Sequence, residues 1–416
     1  MNNVSQSTTL SSATAGASCF DANHIDVTTI EDLEQVGSDK WTRYPGCIGA
    51  FIAEMDYGLA PCVAEAIEEA TERGALGYIP DPWKKEVARS CAAWQRRYGW
   101  EVDPTCIRPV PDVLEAFEVF LREIVRAGNS IVVPTPAYMP FLSVPRLYGV
   151  EVLEIPMLCA GAGESSGRND EWLFDFDAIE QAFANGCHAF VLCNPHNPVG
   201  RVWSADELRR LGDICIAHGV TILADEIHAD FAYPGHDVTM FGTLGERYAG
   251  HCYEFTAPTK TFNIAGLLCS NVITVNPELK RAFDVAAENI AGLTVSHFGL
   301  VACQVAYERA EPWLDALMGV LADNLSLLRE FAERTPGLRL IEPEGTYLAW
   351  LDCRGLGFGS ADELRDFMRD RARVYFDEGV LFGENGAGFE RVNLACPKAL
   401  LKQVLDNIAA ALSHRA

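Results

Sequence analysis

Lysine is scarce in this chain. Seven of its 416 residues are lysines, at positions 40, 84, 85, 260, 280, 398 and 402, and arginine supplies the rest of its 33 cations. Fifty-eight acidic residues outnumber these, for a formal net charge of −25. Such a surface repels polyanions, which excludes nucleic acid and anionic membranes as partners. Long apolar runs are missing too: no segment approaches the roughly 20 residues of a membrane-spanning helix. The 14 cysteines contain no CxxC pair and the nine histidines no HExxH pair. A disulfide framework and the common zinc sites are thereby excluded. Several cysteines lie in apolar runs (Cys193 in "FVLCNP", Cys215 in "DICIAHG"), as buried reduced thiols of a cytoplasmic protein do. The opening "MNNVSQSTTLSSATAGAS" lacks the basic stretch and apolar core of a secretory signal. Residues 1–20 are expected to form a disordered tail.

What is present is a globular composition, 49% hydrophobic and 22% charged. At this length the chain is expected to divide into lobes. Three β-branched or apolar runs read as buried strands: "SIVVPTPAY" (Ser130 to Tyr138), "HAFVLCNPHNPVG" (His188 to Gly200) and "GVTILADEIHADF" (Gly219 to Phe231). Helical patterns separate them, as in "SADELRRLGDICIAHG", where Ser204 and Glu207 predict a capping box. Strand, helix and strand at this spacing mean βαβ units and a parallel sheet. From about Val301 the pattern changes to long helices and then strands, as in a separate α+β lobe, with its entry helix expected to begin near Ala287.

In parallel sheets, ligands sit beyond the carboxyl ends of the strands. Tyr138, Asn197, Asp225 and Lys260 each follow a strand-like run and are expected to converge there. Taken alone, each has an ordinary structural explanation: a core aromatic, a turn asparagine, a helix cap or ion pair, a surface lysine. Lys260 stands between two threonines and ahead of the apolar "FNIAGL". A lysine held against an apolar wall loses hydration, its pKa falls, and its amine becomes a nucleophile for carbonyls. A buried carboxylate such as Asp225 suits a protonated pyridine nitrogen, and Tyr138 suits stacking on a flat ring.

Together, "NPHNPVG", "ADEIH", "TKTFNIAGL" and "RVNLACP" resemble the motifs of fold-type I pyridoxal-phosphate enzymes, the class I/II aminotransferase superfamily. "AEMDYGLAPCVAEAI", "GALGY", "PTPAY" and "PWLDAL" resemble its cystathionine β-lyase-like C–S lyase branch. The resemblance runs from about residue 45 to the end. It implies a mostly parallel seven-stranded sheet in a large domain over 51–295. A smaller α+β domain would span 296–416, with the segment 21–50 packed on it. It implies that Lys260 carries pyridoxal 5'-phosphate by Schiff-base chemistry and then removes the substrate α-proton. Asp225 would pair with the pyridine nitrogen, and Asn197 with the ring oxygen, close to His228. Tyr138 would stack on the ring, and Arg391 would clamp the substrate α-carboxylate. The backbone amides around Val113 and Leu114 would cradle the phosphate at a helix N-terminus; where the phosphate contacts depart from the resemblance, Thr256 and Thr259 are the candidate donors that would rebuild them. Tyr78 would reach the phosphate of the other subunit, in a homodimer with shared active sites.

The implied reaction is C–S cleavage of an amino-acid substrate, a cysteine S-conjugate, to a thiol, pyruvate and ammonia. Transamination, or decarboxylating oxidative deamination on the same scaffold, are the alternatives. Four positions depart from the resemblance. Ala257 replaces a common serine, Asp112 stands in the phosphate loop "PVPDV", "DEG" (Asp377 to Gly379) replaces a common "PG", and Leu268 stands where the superfamily has an arginine that this branch often lacks too. These departures lead us to expect a specialised, bulky substrate, as in secondary metabolism or antibiotic biosynthesis.

Overall fold

The computed structural model describes residues 25, 27–74, 76–159, 172–290 and 293–415. The tail expected over 1–20 lies outside these residues. The centre is a seven-stranded sheet of β1 (Ile107–Val110), β2 (Ser130–Thr135), β3 (Glu151–Pro156), β4 (Ala189–Cys193), β5 (Thr221–Asp225), β6 (Cys252–Thr256) and β7 (Ser270–Ile273). Its order is β1-β7-β6-β5-β4-β2-β3. The pairings β2/β3, β2/β4, β4/β5 and β5/β6 are parallel, and β7 is antiparallel to both its neighbours. Every residue of β4 and β6 is buried, because helices cover both faces. The sequence of β4 therefore runs apolar instead of alternating, while β6 buries Glu254 and Thr256 among its apolar residues. The three strands read from sequence are β2, β4 and β5. Each is shorter than its run, and β2 ends at Thr135 with Pro134 inside its ladder.

Between β4 and β5 runs the helix Ala205–His218. Ser204 and Glu207 form the expected reciprocal cap, and Gly219 closes the helix in the left-handed conformation. A second, antiparallel sheet has the order β8 (Arg339–Ile341), β9 (Leu348–Asp352), β11 (Phe389–Asn393) and β10 (Asp377–Glu378). The helices Glu311–Arg334 and Lys398–Ser413 accompany it. The helix expected to start near Ala287 does not. The helix Pro277–Glu288 ends there, and the next begins at His297, capped by Ser296. The long helix starts only at Glu311, with Pro312 in its first turn.

Gly200 joins the two sheets. Its φ is +75°, and its carbonyl accepts from the Glu344 and Gly345 amides at 2.9 and 3.0 Å. A Cβ there would lie 2.7 Å from Pro343 Cβ, so both φ and space demand glycine. Arg201 clamps the same junction, pairing with Glu344 at 2.8 Å and Glu207 at 2.9 Å. The residues Ile48–Gly49 pair in parallel with Val374–Tyr375, bringing the N-terminal segment beside β10. Among the described residues no helix is long and apolar enough to cross a membrane.

Candidate active site

The carboxyl ends of β4, β5 and β6 lie side by side, since Cys193 pairs with Asp225 and Asp225 with Phe255. The chain after β4 carries Asn197, β5 ends in Asp225, and Lys260 sits on the single turn Pro258–Thr261 after β6. Ala257 precedes that turn in an extended conformation and supplies no capping side chain. The turn is anchored from both sides. Thr261 is fully buried and its hydroxyl donates to Asp230 Oδ2 at 2.6 Å. Phe262 packs against Trp94 and Trp313. A threonine and an apolar wall thus hold the lysine turn in place.

Lys260 Nζ donates to the carbonyl of Ala53 at 3.1 Å. Burial lowers its pKa, and Asp112 and Asp225 offset part of that fall. Asp225 is buried and accepts one long hydrogen bond, from the Ile227 amide at 3.3 Å. Burial pushes its pKa up to about 7, despite that amide and Lys260. Lys260 offsets the burial only in part, so the carboxylate still favours its proton. His228 is kept neutral, its pKa pushed down to about 3 by burial and then by Lys260 and Arg391, and its Nδ1 has no hydrogen-bond partner.

Arg391 lies on β11 directly opposite Asp377 of β10. One terminal nitrogen, Nη2, pairs with Asp377 Oδ2, and Nη1 donates to Asn197 Oδ1 at 2.9 Å. Arg391 Nε is buried without a partner. Tyr138 heads the helix Met139–Leu147, with its ring edge-to-face on Phe141. Burial pushes its hydroxyl up to about 12, while Arg391 opposes and Asp112, Asp225 and Asp377 reinforce that rise. Lys260, Asp225, Asn197, His228, Tyr138 and Arg391 are therefore neighbours, linked by a hydrogen bond or by close electrostatic interaction.

The other expected residues are placed differently. Val113 and Leu114 open the helix Val113–Val119. The Leu114 amide is already taken by the Asp112 carboxylate at 2.7 Å. Thr259 is buried on the lysine turn, whereas the Thr256 hydroxyl lies against Cys91 Sγ at 3.8 Å. Tyr78 is fully exposed on the single chain. Three participants escaped the sequence reading. Tyr347 is buried, and its hydroxyl donates to the same Ala53 carbonyl at 2.9 Å. Asn393 holds the Ile52 and Glu54 carbonyls at 2.7 Å each. Ala53 itself acts through its backbone, which leaves no signature in sequence. Asn393, two residues beyond Arg391 and so on the same face of β11, was open to discovery by strand periodicity.

These unmet demands fit pyridoxal phosphate. A cationic ring nitrogen would answer Asp225, and an aldehyde would answer a lysine whose amine burial favours in the neutral form. Comparison with known proteins agrees. The aminotransferase class I and II family model matches residues 49–408. A cystathionine β-lyase of Bacillus subtilis is 35% identical over 392 residues, covering 91% of this chain and 98% of its own. A cystathionine β-lyase of Corynebacterium glutamicum is 33% identical, covering 92% and 99%. The crystal structure of cystalysin from Treponema denticola, which contains pyridoxal 5'-phosphate, superposes with a TM-score of 0.88 at 30% identity, covering 94% and 100%. This chain belongs to the aminotransferase class I and II family, in its cystathionine β-lyase-like branch of pyridoxal-phosphate-dependent C–S lyases.

Proposed function

We propose that the bond this enzyme breaks is the Cβ–S bond of a cysteine S-conjugate bulkier than cystathionine, releasing a thiol, pyruvate and ammonia. The observation that carries the catalytic part is the placement of Lys260 and Asp225 at adjacent strand ends, Asp225 buried and Lys260 half-buried, with desolvation shifting the pKa of each toward its neutral form. Bound pyridoxal phosphate supplies the carbonyl that takes up the substrate amine and the ring that withdraws electrons from the α-carbon. Asp225 would hold the ring nitrogen charged, and Asn197, His228 and Tyr138 would hold the ring. Arg391 would hold the α-carboxylate, and the Lys260 amine would take the α-proton. Val113, Leu114 and Thr259 are assigned to the phosphate. Tyr78 is assigned to the partner's site in a homodimer, which accounts for a fully exposed tyrosine on the single chain. In this reading residues 51–295 hold the cofactor and residues 296–416 the substrate carboxylate.

The preference for a bulky sulfur substituent is supported by the loop that follows Asp377. Val380 and Leu381 stand exposed there. Phe382 accepts from the Ala137 amide at 2.8 Å, which sets this apolar loop beside Tyr138. The test is to incubate the loaded enzyme with a panel of cysteine S-conjugates and follow thiol, pyruvate, carbon dioxide and aldehyde together. Thiol and pyruvate in equal amounts, fastest with the bulkier conjugates, are expected. Carbon dioxide and an aldehyde without thiol would overturn C–S cleavage. Accumulation of pyridoxamine phosphate would mark transamination instead.

A further inference from the structure

The residue opposite Arg391 is not a neutral bystander. Asp377 and Arg391 are direct cross-strand partners on β10 and β11, with 9% and 3% of their side chains exposed. The same oxygen, Asp377 Oδ2, also accepts the Ile52 amide at 3.0 Å. Ile52 has φ +55°, a left-handed conformation that is strained for a β-branched residue and must be imposed by its surroundings. Its neighbour Ala53 turns its carbonyl to both Lys260 Nζ and the Tyr347 hydroxyl. One carboxylate oxygen therefore joins the guanidinium to the backbone that receives the lysine.

We propose that Asp377 is a built-in competitor for the substrate carboxylate and the positioning residue that links its binding to Lys260. This rests on the assignment of Arg391 as the carboxylate clamp. With Asp377 beside it, Arg391 has its charge matched before any ligand arrives. An incoming α-carboxylate meets a pair that is neutral overall. It gains only the hydrogen bonds Arg391 still has to give, such as that of the unpartnered Nε, and it is repelled by Asp377. The clamp is thereby set to orient a carboxylate instead of gripping it tightly. Discrimination among amino acids passes to the remainder of the substrate. When the substrate draws the guanidinium away, Asp377 keeps the Ile52 amide as its donor, so the 52–53 backbone stays under Lys260 while the clamp is occupied.

The test compares two ligands of one skeleton, L-methionine and 3-(methylthio)propylamine, which differ by the carboxylate alone. Their dissociation constants are read from the cofactor's visible spectrum in holoenzyme, with the ligand-induced rise in thermal midpoint as a second measure. Asp377→Asn keeps an acceptor for the Ile52 amide and removes the competing charge; Asp377→Ser does the same with a smaller side chain. In either variant methionine is expected to bind about tenfold more tightly relative to the amine, the scale of one charge-assisted hydrogen bond. An unchanged or smaller preference for methionine overturns the proposal. Failure of both variants to fold also overturns it, since the pair would then be a requirement of the fold. Arg391→Gln separates the two assignments. If it leaves the methionine preference as in the unaltered enzyme, Arg391 is not the clamp, whatever Asp377 does.

Discussion

The two ends of the site, proposed for the cofactor's ring and for its phosphate, are built on opposite plans. At the ring end, polar groups are buried with their demands unmet: Asp225 with one long hydrogen bond, and His228 Nδ1 and Arg391 Nε without partners. At the phosphate end the protein has met the demand itself, because Asp112 caps the Leu114 amide that an anion would use. Ala257 leaves the lysine turn without a side-chain cap. A buried group without a partner costs folding energy that a ligand returns on binding. A group already satisfied returns little. In the proposed assignment cofactor affinity would therefore be concentrated at the ring end, and phosphate would have to compete with the Asp112 carboxylate for the Leu114 amide.

The largest effect expected is from Lys260→Ala, which removes both the covalent anchor and the α-proton acceptor. Lyase turnover should fall by at least the ~10²–10⁴-fold that a positioned acid–base group contributes, with loss of the visible absorbance of lysine-bound cofactor. Full turnover in this variant would dismantle the ring-end assignment.

Asp225→Asn should cost on the order of 100-fold in kcat, comparable to losing one preorganised electrostatic partner. Its pH signature is sharper. In cofactor-free protein Asp225 keeps its proton up to about pH 7, whereas in the unfolded chain it loses it near the ordinary ~3.9. Between these values the folded state binds the extra proton, so stability from this group falls as pH rises. A cationic ring removes that fall. The gap in thermal midpoint between loaded and cofactor-free protein should widen from pH 5 to 7, and the asparagine variant should flatten it.

Arg391→Lys keeps the charge but loses the planar fork. The KM for an amino-acid substrate should rise about 10- to 100-fold, as for one or two charge-assisted hydrogen bonds, with a smaller change in kcat. Equal losses in both parameters would place Arg391 in the reaction step instead of in binding.

The smallest effect tests the phosphate end. Asp112→Ala frees the Leu114 amide and removes a carboxylate from the anion's place. Cofactor should bind roughly fivefold more tightly, while cofactor-free protein loses about 1 kcal/mol with its helix cap. Titration by fluorescence and a thermal melt read the two directions separately. Weaker binding would make the ends alike and end the comparison.

Much of this was legible in sequence where local rules dominate. The Ser204–Glu207 cap, the β5 run ending at Asp225 and the lysine turn after β6 all follow from propensity, patterning and turn chemistry. The misplaced helix start near Ala287 shows where those rules give out. The stretch after Glu288 continues an apolar pattern, and only the Ser296 cap and the late Pro312 mark new starts.

By itself the sequence determined which strand ends carry Asn197, Asp225 and Lys260, because a strand's length and an alternating element order are local consequences of composition. Tertiary structure alone decided how their demands are met. The Ala53 carbonyl reaches Lys260 over 207 positions, and Arg391 reaches Asn197 over 194. Asp377 faces Arg391 because antiparallel register puts it there. Pairing over such separations is fixed by packing and register, which no local stretch of chain contains.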